Sequence, residues 1–301
     1  MRITRQLATV TAVSLALLAG CSSTSDEPQE PAATTSTPAP RPSATPDLPA
    51  VRSYVAIGDS FTSGPGLAEL RDDGAFCLRS DHNWPSLLAR ALRPASFDDV
   101  SCAGATTYDV LQPGRGAAAQ IDAVRPSTDL VTVGIGGNDG NLFASLVSSC
   151  SGGGGTCRPF LRDSAPAILD ETVGRIAKVL EDVRARAPKA TVLLVGYPRI
   201  MPDSGTCASV GIPAADTAAV AGAEEALDRS LAAAARQVGV PYVSVRDASR
   251  GHDACAGDRA WTNGADVRDE DGIAFHPRRA GMAAVARAVQ TELALGAGVG
   301  R

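Results

Sequence analysis

Ser60 is the residue whose sequence context best suits nucleophilic chemistry. It ends the turn Gly58-Asp59-Ser60, which follows an apolar segment at residues 55–57. A strand that ends in such a turn places one hydroxyl at the carboxyl edge of a sheet, where open α/β sheets bind ligands. A serine hydroxyl is a poor nucleophile unless a base removes its proton and donors hold the oxyanion. Other parts of the chain must therefore supply a base and these donors.

Three later positions can supply these groups. Gly104 follows the second predicted strand, and a glycine there lets a backbone N–H approach a ligand closely. Asn138 comes directly after the most apolar strand and carries an amide that can donate hydrogen bonds. His276 precedes the last predicted helix and can act as the base. The remaining histidines, His82 and His252, lie in polar or irregular stretches and are interpreted as surface residues.

The elements that must position these residues alternate between short apolar runs and helical patterns from about residue 53 onward. This alternation predicts an α/β fold, a three-layer α/β/α sandwich with helices on both faces of a mostly parallel five-stranded sheet. The predicted strands span residues 54–57, 98–101, 130–135, 192–196 and 242–245. The clearest helices span residues 84–92, 165–187, 213–238 and 277–295, with Pro277 at a first helical position.

The chain resembles the SGNH, or GDSL, hydrolase family from about residue 53 to its end, because Ser60, Gly104, Asn138 and His276 occur in the family's order and local contexts. Each motif alone is more often a turn or a helix cap, so the resemblance depends on their joint occurrence. It implies a flavodoxin-like sheet, with Ser60 as nucleophile and His276 as general base. It also implies that Ser60, Gly104 and Asn138 form the oxyanion hole. The reaction would be hydrolysis of acyl esters, including lipid or phospholipid, without a metal or organic cofactor.

One position departs from the family pattern. The family commonly has an aspartate three residues before the histidine, where this chain has Ile273. Asp271, five residues before His276, is the alternative acid. Members of a secreted actinobacterial branch of the family, which this chain resembles, can use a main-chain carbonyl instead. Such a carbonyl fixes the tautomer and orientation of the imidazole without a charge. We therefore predict a dyad of Ser60 and His276.

Six cysteines follow residue 50, and they permit fifteen pairings. An even number of cysteines is typical of disulfides in an exported protein, and the export signal of this chain is described below. Their order favours pairing between neighbours in sequence. The spacing is similar to that of a secreted actinobacterial branch of esterases, lipases and phospholipases, which also carries a stretch like Trp261-Thr262-Asn263-Gly264 before its final Phe-His-Pro. No pair is spaced like a zinc knuckle, so no metal site is predicted. The resemblance implies the disulfides Cys77–Cys102, Cys150–Cys157 and Cys207–Cys255.

The N-terminal region is predicted to direct export. A basic start and an apolar run at residues 7–19 predict a signal peptide over residues 1–20. The sequence that ends in Cys21 resembles a bacterial lipobox, which implies lipidation of Cys21 and anchoring on the outer face of the cell membrane. An ordinary signal peptide and secretion is the alternative. Residues 21–50, rich in Pro, Ser and Thr, are predicted to be a disordered tether, and residues 51–301 the hydrolase domain.

Composition limits the partners. The formal net charge is −5 and no basic stripe is present, so nucleic acid is excluded as a partner, and a monomer is expected. Two alternatives to a lipase or esterase stay open: a polysaccharide deacetylase of the same family, and a non-catalytic cell-surface lipoprotein that binds glycan or lipid. The intact serine and histidine argue against the second alternative.

The sequence also offers apolar candidates for a pocket that would hold the acyl chain. They are Phe61, Leu142, Phe143 and Trp261.

Overall fold

Parallel strands form the centre of the computed structural model, which describes residues 48–72 and 76–299. The strands are β1 (Ser53–Gly58), β2 (Ser96–Asp99), β3 (Leu130–Gly134), β4 (Thr191–Val195) and β5 (Tyr242–Val243). They lie in the order β2-β1-β3-β4-β5, and all neighbouring pairs are parallel. The strand order reverses between β1 and β3. Their carboxyl ends therefore border the crevice in which such sheets bind ligands.

Helices cover both faces of this sheet. They are α1 (Ser60–Ser63), α2 (Trp84–Leu92), α3 (Thr107–Leu111), α4 (Leu142–Cys150), α5 (Cys157–Asp163), α6 (Ala165–Arg186), α7 (Ala214–Val238) and α8 (Arg279–Val299). Helices α2 and α8 pack together on one face, whereas α6 and α7 pack together on the other, with α5 beside them. The predicted three-layer α/β/α fold is confirmed.

The alternation of side chains along each strand divides the core into two layers. Tyr54 and Ala56 of β1 belong to the layer that contains the buried residues of α2 and α8. Val55 and Ile57 belong to the layer that contains those of α6 and α7. All residues of β3 are buried, as expected for a central strand of a parallel sheet with helices on both faces.

The structure corrects several element boundaries, and β5 spans Tyr242–Val243 rather than residues 242–245. Strand β2 spans Ser96–Asp99 rather than residues 98–101, because this edge strand is polar and its register is set by pairing with β1, beginning with Ser96 opposite Ser53. Helix α8 begins at Arg279 rather than at Pro277. Pro277 instead forms a bridge with Thr262, which keeps the chain extended just before the helix.

Three disulfides tie loops to this framework. They join Cys77 to Cys102, Cys150 to Cys157 and Cys207 to Cys255. The first joins the loop before α2 to the loop after β2, next to Gly104. A disulfide of this kind typically stabilises a fold by about 2–4 kcal/mol.

The predicted signal peptide, Cys21 and nearly all of the predicted tether lie outside the described residues. Within the part of the chain that the structure describes, no helix is both long enough and apolar enough to cross a bilayer. That same part contains no cluster of three or more His, Cys, Asp or Glu residues able to hold a metal ion.

Candidate active site

Ser60 is the first residue of α1 and follows β1 after a single intervening residue. That residue, Asp59, caps the helix, because its Oδ1 atom accepts a hydrogen bond from the N–H of Phe61 at 2.9 Å. The side chain of Gln120 holds both backbone groups of Gly58, at 2.8 Å to the nitrogen and 3.0 Å to the oxygen. These contacts fix the turn and place the Ser60 hydroxyl at the carboxyl edge of the sheet.

His276 contacts Ser60 directly. Its Nε2 atom lies 2.8 Å from Ser60 Oγ, and its Nδ1 atom lies 2.8 Å from the carbonyl oxygen of Ala274. Burial lowers the pKa of His276, and the bond to the Ala274 carbonyl partly opposes this shift. A neutral imidazole that donates from Nδ1 to the carbonyl presents the lone pair of Nε2 to the serine hydroxyl. This arrangement can transfer a proton between the two side chains.

Asp271 does not contact the imidazole. Its Oδ1 atom accepts a hydrogen bond from the N–H of Arg279 at 2.8 Å, at the start of α8. The group that meets Nδ1 of His276 is thus a main-chain carbonyl and not the carboxylate of Asp271.

Asn263 organises the loop that carries His276. It is fully buried, and its Nδ2 atom donates to the carbonyls of Asp271 at 2.8 Å and Ile273 at 3.2 Å. Its backbone N–H donates to the carbonyl of His276 at 2.8 Å. Phe275, directly before the histidine, has a φ of 59°, which non-glycine residues rarely adopt. The residue pattern of this stretch marks a family branch, but it does not indicate that Asn263 holds the loop.

Gly104 and Asn138 line the same cavity as Ser60 and His276. The N–H groups of Ser60 and Gly104 donate to no acceptor among the described residues, so both are available to a ligand. Asn138 donates from Nδ2 to the carbonyl of Ala105 at 3.0 Å, which holds its amide beside the glycine loop. The structure therefore brings all four predicted site residues to one place.

Tyr197 links two of the site loops and was not predicted from sequence. Its hydroxyl donates to Asp59 Oδ2 at 2.6 Å and accepts from the N–H of Gly137 at 2.9 Å. Burial raises the pKa of Asp59 to about 7, although the hydrogen bond from Tyr197 opposes that shift. The tyrosine follows β4 on a distant part of the chain, so no local pattern marks its contact with the serine turn.

A cavity of about 580 Å³ extends from Ser60 and His276. Apart from the polar residues at its mouth and Glu224, its wall is largely apolar and includes Phe61, Phe143, Ala144, Leu146, Val147, Ile200, Met201, Ile212 and Val220. Two predicted pocket residues are wrong. Leu142 lies fully buried in the core, and Trp261 stacks on the ring of His252 at 4.4 Å and does not line the cavity.

The other histidines lie away from the cavity lining. His82 Nε2 is 3.4 Å from a carboxylate oxygen of Glu69. His252 Nδ1 is 2.6 Å from the carbonyl of Arg259. Neither ring forms a hydrogen bond with Ser60.

A parallel sheet that brings a serine and a histidine into hydrogen-bond contact beside an apolar cavity defines a class of α/β serine hydrolases. Within that class, the model of the GDSL-like lipase/acylhydrolase family matches residues 56–284 of this chain. The chain belongs to this family, and it is an enzyme of the lipase and esterase type.

Similar proteins agree with this assignment. Lipase 2 of Streptomyces coelicolor is 35% identical over 226 residues, which cover 70% of this chain and 74% of that protein. The solved structure of an extracellular lipase from Streptomyces rimosus has a TM-score of 0.71 and 29% identity, and it covers 80% of this chain and 99% of the lipase. The structure of phospholipase A1 from Streptomyces albidoflavus has a TM-score of 0.66 and 31% identity over the same share of each chain. The relatives and the disulfides together indicate an exported protein.

Proposed function

We propose that this chain hydrolyses carboxylic esters of apolar acyl chains through a dyad of Ser60 and His276. The observation that carries the proposal is the distance of 2.8 Å between Ser60 Oγ and His276 Nε2, at the mouth of a largely apolar cavity. A serine becomes an effective nucleophile when an adjacent base removes its proton.

The reaction proceeds in two steps. His276 Nε2 takes the proton of Ser60 as Oγ attacks the ester carbonyl carbon, and the imidazolium then gives that proton to the departing alcohol. A water molecule next attacks the acyl-enzyme, with His276 accepting its proton and returning it to Ser60 as the carboxylic acid leaves. The carbonyl of Ala274 accepts the Nδ1 proton throughout and so maintains the tautomer.

Three donors hold the oxyanion in this proposal: the N–H groups of Ser60 and Gly104 and the side-chain amide of Asn138. The amide would turn from the carbonyl of Ala105, which it contacts in the structure at 3.0 Å, to the substrate oxygen. Replacing Asn138 with alanine should lower kcat about a hundred- to thousandfold, the usual effect of losing one such donor.

The cavity favours a fatty acyl chain over an acetyl group. An acetyl group would leave most of the 580 Å³ unfilled, whereas a longer chain would bury apolar surface at roughly 25 cal/mol per Å². The lipases and the phospholipase A1 among the similar proteins favour lipid esters as substrates for this chain as well. A polysaccharide deacetylase would use the same residues and is the second candidate.

Fluorophosphonate labelling tests the nucleophile. The wild-type enzyme should label at Ser60, and Ser60→Ala should abolish both labelling and ester hydrolysis. Ser63→Ala is a matched control on the same helix, because Ser63 Oγ is buried and forms no hydrogen bond with the described residues. Absence of an adduct that depends on Ser60 would overturn the proposal and would favour the non-catalytic binding protein.

A chain-length series tests the substrate class. Rates on p-nitrophenyl esters should rise from acetate to medium or long acyl chains. An acetylated oligosaccharide should be a poor substrate for the same enzyme. A preference for that oligosaccharide over every acyl ester would favour the deacetylase.

We also propose that Cys21 anchors the exported enzyme to the outer face of the membrane, with residues 21–50 as the tether and a monomeric enzyme domain. Labelled palmitate should be incorporated in producing cells, and Cys21→Ala should abolish this incorporation and release the enzyme to the medium. Light scattering should report the mass of one chain. A wild-type enzyme that carries no lipid would contradict the anchor.

A further inference from the structure

Arg115 lies at the tip of a tight turn beside the active site. Gly114 and Ala117 close the turn with backbone hydrogen bonds of 3.1 and 2.9 Å. The two residues between them have positive φ angles, 53° at Arg115 and 76° at Gly116, as in the tight turns of β-hairpins. The backbone of the turn therefore fixes the direction in which the arginine side chain leaves.

The guanidinium group lies against the backbone of Gly104. A Cβ atom added to Gly104 would lie 2.8 Å from Arg115 Nη2 and 2.9 Å from Cζ. Arg115 also lines the cavity together with Ser60 and His276. Because Gly104 is a proposed oxyanion donor, the positive charge is next to the position that the reacting ester would occupy.

This charge has no protein partner in the part of the chain that the structure describes. Within that part, Arg115 forms no ion pair or hydrogen bond, and no other arginine or lysine lines the cavity. Asp109 packs against Gly114, but its carboxylate is held by Thr106, whose N–H and hydroxyl donate to Oδ2 at 2.8 and 2.7 Å. The exposed guanidinium of Arg115 is therefore free to bind an anionic ligand.

We propose that Arg115 binds the phosphodiester of a glycerophospholipid while Ser60 attacks an acyl ester of the same molecule. A planar guanidinium binds phosphate through paired, charge-assisted hydrogen bonds. The apolar cavity would take the acyl chain, and the glycerol backbone would connect the ester at Ser60 to the phosphate at Arg115. This inference rests on the proposed ester hydrolysis and adds a residue that selects phospholipid among lipid esters.

The test compares two substrates that differ only in the phosphodiester headgroup. Dihexanoyl phosphatidylglycerol and dihexanoylglycerol are each supplied below the concentration at which they aggregate, so that adsorption to a lipid surface does not contribute. The measured quantity is the ratio of kcat/KM on the phospholipid to kcat/KM on the diacylglycerol. Arg115→Met should lower this ratio about tenfold or more, because bonds between charged groups are among the stronger hydrogen bonds in proteins.

Two further variants sharpen the comparison. Arg115→Lys keeps the charge but loses the paired geometry, so its ratio should lie between those of the wild type and Arg115→Met. Arg236→Met removes an exposed arginine on α7 that does not line the cavity, and its ratio should equal that of the wild type. Thermal unfolding of each variant checks that the fold is intact.

Two outcomes would overturn the role of Arg115. The first is an unchanged ratio in Arg115→Met, whether the variant keeps both rates or loses both equally, and the second is a wild-type enzyme that hydrolyses the diacylglycerol but not the phospholipid. Equal losses would instead place the arginine at the oxyanion hole. A wild-type enzyme that hydrolyses neither substrate would overturn the proposed ester hydrolysis itself.

Discussion

The carboxylate of Asp271 accepts a hydrogen bond from the backbone N–H of Arg279 at 2.8 Å, so it binds the first turn of α8 and does not reach the imidazole of His276. The negative charge at this helix N-terminus is favourable, because unpaired N–H groups there carry a partial positive charge. The acid that the family commonly places behind the histidine thus has no counterpart in this site among the described residues, and a carbonyl takes its place.

We predict that Asp271→Asn retains wild-type turnover to within a few-fold. Asparagine can still accept the hydrogen bond from Arg279, so the unfolding free energy should also change little. His276→Ala should lower kcat at least about a thousandfold, because it removes the proposed base. Steady-state kinetics on a soluble ester measures both effects. Inactivation of a folded Asp271→Asn variant to the level of His276→Ala would contradict the dyad.

The pH profile should report the neutral form of His276. In the proposed mechanism His276 acts only when unprotonated, and burial lowers its pKa below the ordinary value of 6.5. The kcat/KM for a soluble ester should therefore rise with pH through a midpoint below 6.5 and stay high at neutral pH. A midpoint above 6.5 in an enzyme that stays folded across the range would contradict this prediction.

Sequence patterns predicted those parts of the fold and site that depend on residues near one another in the chain. Strands β1, β3 and β4 were found because sheets buried on both faces need continuous apolar runs, whereas the polar edge strand β2 was misplaced by two residues. Motif order indicated that Ser60, Gly104, Asn138 and His276 would converge, and they line one cavity. The residues converge because Ser60, Gly104 and Asn138 lie in loops that follow the carboxyl ends of β1, β2 and β3. The loop of His276 returns to the same edge of the sheet.

The contacts that sequence missed come from remote segments or from backbone geometry. The motifs predicted that a main-chain carbonyl would orient His276, but they did not show which one; it is that of Ala274, next to Phe275 with its positive φ. Tyr197 and Asn263 reach the site from other loops. The pocket prediction was wrong for Leu142 and Trp261 because apolar residues near strand ends also fill the core and cover loops.

Tyr197→Phe should destabilise the fold by about 1–3 kcal/mol, because it leaves the buried N–H of Gly137 without its acceptor. The loss of unfolding free energy should be larger above about pH 7 than below it. The hydroxyl of Tyr197 favours the ionised form of Asp59, whose pKa is about 7 in the folded state. Removing the hydroxyl raises that pKa further, so the added loss develops as pH rises through about 7, where the wild-type carboxyl ionises.

Urea unfolding at about pH 5 and about pH 8 measures this effect. Tyr54→Phe is the matched control, since the buried hydroxyl of Tyr54 pairs with the neutral hydroxyl of Thr132 at 2.9 Å. The loss of unfolding free energy in Tyr54→Phe should be similar at the two pH values. A loss in Tyr197→Phe that is equal at both values, or larger at the lower one, would contradict the assigned effect on Asp59.

Asn263→Ala should lower kcat about 10- to 100-fold with little change in KM. The variant leaves the carbonyls of Asp271 and Ile273 without a donor, so the loop that presents His276 to Ser60 loses its fixed shape. A small displacement of a catalytic group costs rate through lost orientation, whereas the proposed acyl cavity keeps its wall. These buried carbonyls, left without a hydrogen bond, should also lower the unfolding free energy by about 1–3 kcal/mol.

Thr262→Val separates positioning from stability. Thr262 is the buried neighbour of Asn263, and its hydroxyl donates to the carbonyl of Arg199 at 2.8 Å rather than to the histidine loop. Its loss should lower the unfolding free energy by about 1 kcal/mol while kcat stays within a few-fold of the wild type. The rate of labelling by a fluorophosphonate, corrected for the folded fraction, gives an independent measure of the dyad. If both variants lose kcat only in proportion to their unfolded fraction, Asn263 stabilises the fold without positioning His276.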